Sequence, residues 1–128
     1  MSLNTVNLIG YLTRDVELRL TPNGNPVANF GIAVNRRYRQ DEEVKQEATF
    51  VDLVAFNRTA EIAKEFLGKG RPVAIEGRLR YRAWETELGA KRSKLEVVVN
   101  QLHLMPRNGS NGNDAEAPVE ESPEEIPF

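Results

Sequence analysis

Residues 57–68 read Asn-Arg-Thr-Ala-Glu-Ile-Ala-Lys-Glu-Phe-Leu-Gly, and they break the pattern of the chain around them. The apolar side chains that recur at the spacing of one helical face are Ile62, Ala63, Phe66 and Leu67. Asn57 or Thr59 can cap the start of such a helix. Gly68 or Gly70 can end it. The stretch predicts one helix in a chain that otherwise alternates apolar and polar residues.

The stretches on both sides of this helix have a period of two, which is typical of β-strands. Three precede it and two follow it: residues 6–20 with a bend near Gly10, 30–34, 50–56, 72–84, and 95–99 or on to Leu104. Charged residues 36–47 are expected to form a loop or a frayed hairpin. This order is that of the five-stranded OB barrel, an all-β fold with a helix between strands three and four. Another small β-barrel with one helix fits the same pattern.

The composition excludes several classes of protein. The 128 residues contain no cysteine, which excludes a disulfide scaffold, a thiolate metal cluster and a cysteine nucleophile. The one histidine, His103, leaves no histidine pair for a metal, so we expect neither a metal nor a cofactor. No apolar run approaches the roughly 18 residues of a membrane span, and the first residues lack a signal-peptide pattern. A cytoplasmic protein without a membrane partner is expected.

Charge divides the chain into two parts. All 17 lysines and arginines lie in residues 1–107, although the net charge is −2. Residues 108–128 hold six acids, no base, and mainly Gly, Ser, Asn, Pro and Glu. Such a segment buries too little apolar surface to offset the cost of ordering it. We predict an OB domain over residues 1–107 and a disordered acidic tail over 108–128, an asymmetry that favours nucleic-acid or partner binding.

The strand over residues 72–84 carries the strongest binding signal. Because alternate residues share a face, one face holds Val73, Ile75, Leu79 and Tyr81, and the other holds Arg78, Arg80, Arg82 and Trp84. Guanidinium groups attract phosphates, and a flat indole stacks on any base. The alternative is a solvated face whose arginines only prevent edge-to-edge aggregation.

Other aromatic and basic residues extend this signal. Phe50 and Phe56 share one face of the third strand, and the other face is apolar as well, which fits either a half-open groove or a strand buried on both sides. Asp52 lies on the face of Phe50 and Phe56 and argues against full burial. Tyr38 lies among arginines in a predicted loop. The full set of predicted phosphate contacts is Arg36, Arg37, Arg39, Arg58, Lys69, Arg71, Arg78, Arg80, Arg82, Lys91, Arg92 and Lys94.

No pattern in the chain supports catalysis. The carboxylates of Asp41, Glu42 and Glu43 are expected to lie in a solvated polar loop, which does not favour acid–base catalysis. Residues 68–70, Gly-Lys-Gly, lack the spacing of a phosphate-binding P-loop. Ser2 and Ser93 have no nearby base. We therefore predict a protein that is not an enzyme.

The last five residues are Glu124, Glu125, Ile126, Pro127 and Phe128. They end an acidic segment with two bulky apolar side chains and, as we expect, a free carboxylate. This chemistry suits a basic pocket on a partner protein that captures a carboxylate.

Several stretches together resemble one family. They are residues 7–12 with Asp15, 22–24 with 27–30, 63–70, 75–80, Trp84, 96–99, and the terminal Ile-Pro-Phe. In combination they are similar to the bacterial single-stranded DNA-binding proteins.

The resemblance implies an OB fold assembled as a homotetramer that wraps single-stranded DNA. The family's stacking aromatics fall on Tyr38, Phe50, Phe56 and Trp84. It also implies that residues 124–128 bind proteins of replication, recombination and repair at the nucleoid. Tyr38 and Phe50 replace the family's common tryptophans, and Glu124 and Glu125 replace its usual aspartates.

Two other interpretations stay open from the sequence. One is a primosome-type OB paralogue that mainly binds replication proteins, although such paralogues usually lack an acidic tail. The other is an RNA-binding OB module, which affinities for oligo-dT and oligo-U would separate. A small hydrolase is a third, remote interpretation, because the chain offers no nucleophile–base pair.

Overall fold

The structure is a computed structural model that describes residues 1–106. Its elements are β1 (Val6–Leu12), β2 (Glu17–Leu20), β3 (Pro26–Gln40), β4 (Glu43–Phe56), α1 (Asn57–Phe66), β5 (Pro72–Glu85) and β6 (Lys91–Leu104). The predicted tail over residues 108–128, with its last five residues, lies outside the described residues.

Five of the strands close into a barrel. Their order is β1-β5-β6-β4-β3, and an additional pairing of β1 with β3 closes the circle. β4 and β6 run parallel, whereas the other neighbours are antiparallel. The predicted first strand is interrupted, and its second part, β2, pairs with β3. The predicted five-stranded OB fold, with the helix between the third and fourth barrel strands, is confirmed.

The barrel interior is filled by side chains that alternate along the strands. Its largest fully buried residues are Phe30, Ile32, Leu53, Val73 and Ile75. Burial of each stabilises the fold by about 1.5–3 kcal/mol. The helix α1 packs against the same core through Ala60 and Ala63, and Leu67, which directly follows the helix, joins the core as well. Its small alanines let the helix approach the strands closely.

The helix begins differently from the prediction. Phe56 occupies the N-cap position with an extended backbone, and no side chain makes a capping hydrogen bond. The predicted caps Asn57 and Thr59 are therefore wrong, since the helix starts directly where β4 ends. Asn57 has φ of 58°, a left-handed conformation that asparagine tolerates and that makes the sharp corner. At the other end the N–H of Leu67 bonds to the carbonyl of Ala63, and the predicted Gly68 follows.

Residues 36–47 form a regular hairpin rather than a loop. β3 and β4 pair continuously from Val27–Phe56 to Gln40–Glu43. The two turn residues, Asp41 and Glu42, have φ of 55° and 66°. A two-residue turn with positive φ at both positions matches the right-handed twist of the strands. The hairpin therefore projects from the barrel as an arm.

A β-bulge divides β6. Glu76 pairs with Gln101 and Gly77 with Val99, so Asn100 is the extra residue. A side chain at Gly77 would overlap the carbonyl of Val98, which explains why glycine occupies this close backbone approach. The bulge shifts the alternation of β6, so that both Val99 and Leu102 contact the core.

Within the described residues, no helix has the length and apolar character needed to cross a membrane.

Candidate nucleic-acid interface

Alternate residues of β4, β5 and β6 share the side of the barrel wall that faces away from the core. The register aligns these residues across the three strands, with Val54 opposite Val98 and Arg80 opposite Glu96. We call this surface the outer face; its members are Phe50, Asp52, Val54, Phe56, Arg78, Arg80, Arg82, Trp84, Arg92, Lys94, Glu96 and Val98. The predicted arginine row and three of the four predicted aromatics therefore lie on one surface.

The aromatic rings lie along this face with different exposure. Phe50 is 73% exposed and Trp84 is 40% exposed, whereas Phe56 is half-buried. The guanidinium of Arg82 lies 4.5 Å from the centre of the Trp84 ring. The guanidinium of Arg80 lies 5.5 Å from the centre of the Phe56 ring. Each of these two rings is therefore accompanied by a cation at cation–π distance.

A buried carboxylate holds both of those arginines. Glu96 is only 3% exposed, and it accepts hydrogen bonds from Nε of Arg80 at 3.1 Å and Nε of Arg82 at 3.2 Å. Arg80 also donates to it through a terminal guanidinium nitrogen. Burial acts to raise the pKa of Glu96, but the hydrogen bonds and charges of Arg80 and Arg82 together outweigh it and leave the pKa below its usual value. Glu96 is therefore a charged anchor that fixes two cationic side chains.

A second carboxylate on the same face is shared in a similar way. Asp52 lies 3.6 Å from the guanidinium of Arg14 and 3.3 Å from Nζ of Lys94. Arg14 comes from the connection between β1 and β2 and crosses over Gly31, where a side chain would collide with it. The cationic surface therefore continues across β4 beyond the predicted row.

Arg78 differs from the other two arginines of the row. Its guanidinium donates a hydrogen bond of 2.9 Å to the side-chain oxygen of Asn100, the bulged residue of β6. Asn100 is neutral, so this contact orients the arginine without cancelling its charge.

The arm formed by β3 and β4 separates the remaining predicted aromatic from the outer face. Tyr38 pairs with Lys45, and Phe50 pairs with Ala33. Tyr38 and Ala33 are an odd number of residues apart on β3, so their side chains point to opposite faces of the hairpin. Tyr38 therefore lies on the opposite side of the hairpin, where Arg36 is 5.0 Å from its ring. Arg36 also forms an ion pair of 2.9 Å with Glu47.

The other predicted phosphate contacts are more scattered. Arg37 and Arg39 share the side of the arm that carries Phe50. Arg92 and Lys94 lie on the outer face, but Lys91 is opposite Glu85 on the other side of the strand pair. Arg58 lies in the first turn of α1 with Glu61 at 3.4 Å, and Lys69 and Arg71 lie in the connection from α1 to β5. The structure does not bring Arg58, Lys69 and Arg71 onto the outer face.

The family described as the single-strand binding protein family matches residues 3–105. The chain belongs to this family. The relative named single-stranded DNA-binding protein in Wolinella succinogenes is 47% identical over 109 residues, which cover 84% of this chain and 67% of that protein. The relative of the same name in Helicobacter pylori is 41% identical over 109 residues, 84% of this chain and 61% of that protein. The one in Thermotoga maritima is 46% identical over 105 residues, 81% of this chain and 74% of that protein.

A solved structure shows the same fold. It is described as a Plasmodium falciparum SSB complex with ssDNA, and it is similar to this chain with a TM-score of 0.73 at 26% sequence identity. The similarity covers 83% of this chain and 97% of that chain. The predicted membership of the single-strand binding family is therefore confirmed.

Sequence reasoning missed two residues that affect the charge of the outer face, Glu96 on the face itself and Arg14 beside it. Glu96 could have been found from the register, since an antiparallel β5–β6 pair joined by a turn centred on Leu88 places it opposite Arg80. Arg14 had no comparable signal, because it lies in an irregular connection and reaches Asp52 through space. Both matter because they change the charge that the outer face presents.

Proposed function

We propose that the chain binds single-stranded DNA without sequence specificity, through the outer face, and that it is not an enzyme. The observation that carries this proposal is the placement of Phe50, Phe56 and Trp84 on one surface with the arginine row of β5. Aromatic faces stack on any base, at about 1–3 kcal/mol per base. Arginines next to them attract the phosphates between those bases.

Stacking on exposed rings favours single strands over duplexes. The bases of a duplex are already stacked and paired, so their faces are closed to protein side chains. The relatives named single-stranded DNA-binding protein and the neighbouring complex with ssDNA support the same choice. The function that follows is protection of single-stranded DNA during replication, recombination and repair.

We further propose that the chain acts as a homotetramer in the cytoplasm, at the nucleoid. The family supports this assembly, and β1 offers a place for it. Among the described residues, β3 pairs with β1 only at Tyr11 and Leu12, so residues 6–9 keep one strand edge open. Ile9, which is exposed, lies on this part of the strand. Residues 124–128 would recruit replication and repair proteins to the bound DNA.

Equilibrium binding to three labelled nucleic acids tests the main proposal. We expect the full chain to bind oligo-dT tightly, oligo-U more weakly and a duplex of mixed sequence weakest of all. Light scattering with and without a long oligo-dT would give the oligomeric state and the stoichiometry together. Equal affinity for the duplex and the single strand would contradict the proposal, and a preference for oligo-U would favour an RNA-binding module.

A further inference from the structure

Asp52 has an unusual position for a carboxylate on a surface that would bind DNA. It lies on β4 between Phe50 and Phe56, which are about 20 Å apart at 3.3 Å per strand residue. Its side chain is 46% exposed and forms ion pairs with Arg14 at 3.6 Å and Lys94 at 3.3 Å. The carboxylate of Asp52 therefore partly neutralises two cationic side chains between the aromatic rings on which bases would stack.

The two carboxylates of the outer face differ in how firmly they hold their partners. Glu96 is buried and accepts hydrogen bonds, so its arginines are fixed. The side chains of Asp52, Arg14 and Lys94 are all partly exposed. The N–O distances of 3.6 Å and 3.3 Å from Arg14 and Lys94 to Asp52 are longer than the roughly 2.7–2.9 Å of charge-assisted hydrogen bonds. Exposed ion pairs of this kind are weak and screened by salt. A phosphate could therefore replace Asp52 as the partner of Arg14 and Lys94.

We propose that Asp52 is an internal competitor for the DNA phosphates, which masks Arg14 and Lys94 in the free protein and limits the affinity of the outer face. This inference rests on the proposed function. A strand whose bases stack on Phe50 and Phe56 must pass its backbone beside Asp52. There the carboxylate of Asp52 repels the phosphates of the strand. Its ion pairs with Arg14 and Lys94 also reduce the attraction of these two cations for the phosphates. Asp52 therefore sets how tightly this part of the path binds and how strongly salt weakens it.

Removal of this one charge is the test. Asp52→Asn keeps the shape of the side chain, and we expect it to bind oligo-dT about two- to tenfold more tightly than the unmodified chain at low salt, as expected for two exposed ion pairs. The gain should shrink as salt rises. The matched control is Asp41→Asn at the tip of the arm, which makes the same change of charge. Among residues 1–106, no ion pair involves Asp41.

A double-mutant cycle separates local competition from a general change of charge. Lys94→Gln should cost more affinity in the Asp52→Asn background than in the unmodified chain, because Lys94 is no longer masked. Equal costs in the two backgrounds would overturn the proposal. So would an equal gain from Asp41→Asn, or weaker binding by an Asp52→Asn protein with an unchanged melting temperature. If Asp52→Asn alters the melting temperature, Asp52→Ser is used in its place, because it removes the same carboxylate.

Binding of oligo-dT by the unmodified chain distinguishes a failure of the proposed function from a failure of the proposed role of Asp52. If the unmodified chain does not bind oligo-dT, the proposed function is wrong. If it binds oligo-dT and neither Asp52 variant binds more tightly than the Asp41 control, only the role of Asp52 is wrong.

Discussion

Arg82 lies with its guanidinium 4.5 Å from the centre of the Trp84 ring, and its Nε donates a hydrogen bond of 3.2 Å to the buried carboxylate of Glu96. Glu96 thus holds the guanidinium against one face of the indole. A base that stacks on Trp84 must use the other face or displace the guanidinium. In the first case Glu96 keeps the guanidinium beside the ring, where we expect it to lie near the phosphate of a stacked base.

Trp84 is the only tryptophan of the chain, so its fluorescence reports on this contact alone. We expect oligo-dT to quench the emission, because a stacked base covers the ring. Trp84→Ala should weaken binding by about 1–3 kcal/mol, whereas Trp84→Phe, which keeps a flat ring, should lose less. Titration of oligo-dT followed by fluorescence for the unmodified chain, and by anisotropy of labelled DNA for the variants, measures both. Unchanged emission at saturating DNA would show that bases do not stack on Trp84.

Arg78 tests the phosphate contacts, because its partner Asn100 carries no charge to mask it. Arg78→Gln should reduce the slope of log affinity against log salt by about 0.7 for a single strand. The control is Arg19→Gln on β2, which removes the same charge away from the outer face. A lower melting temperature with an unchanged slope would show that Arg78 serves the structure rather than the DNA.

Glu96 predicts a pH-dependent stability. Its native pKa lies below the unfolded value, so its ionised form stabilises the fold above the unfolded pKa, and this contribution is lost as pH falls through the native pKa. Glu96→Gln should cost about 1–3 kcal/mol of unfolding free energy at neutral pH. The difference from the unmodified chain should narrow below about pH 4.

Thermal unfolding of both proteins at equal concentration, from neutral pH downward, measures this difference. A constant gap across the whole range would show that the carboxylate's charge does not contribute. The conservative variant Glu96→Asp should retain part of the pH dependence, since it keeps the charge on a shorter side chain.

The order of the elements was predictable because it depends on local periodicity. Period two is visible in each barrel strand, and a single stretch of helical period places α1 between β4 and β5. The same alternation correctly predicted that Arg78, Arg80 and Arg82 share a face with Trp84. These features need only the direction in which neighbouring side chains point.

Register and long-range contacts were not predictable in this way. The turn at Asp41 and Glu42 lacks the Gly or Asn that signals a two-residue hairpin, so the arm was expected to be a loop or frayed. The bulge at Asn100 depends on how β5 and β6 pair. Tyr38 was grouped with Phe50, although the pairing places them on opposite sides of the arm. Each of these features is set by a partner strand.

Residues 108–128 have two possible roles, and an experiment on the full chain separates them. An acidic tail could simply keep the protein soluble, which needs charge and no particular side chain. A docking peptide needs specific apolar contacts from Ile126 and Phe128 and the fixed backbone of Pro127. Removal of Phe128 leaves all six acids of residues 108–128 in place, and therefore separates the two.

We expect the chain without Phe128 to lose its binding to a tail-recognising partner, such as a helicase or a polymerase accessory subunit, while its affinity for oligo-dT stays nearly the same. Val119→Ala is the control, because it shortens another apolar side chain of the same segment. Deletion of all of residues 108–128 should instead raise DNA affinity slightly at low salt, since the acids no longer compete with phosphates for the basic domain. Surface plasmon resonance with immobilised partner and with immobilised oligo-dT measures both effects. If the chain without Phe128 binds every partner as before, the tail acts through its charge, and the Ile-Pro-Phe sequence has no role in docking.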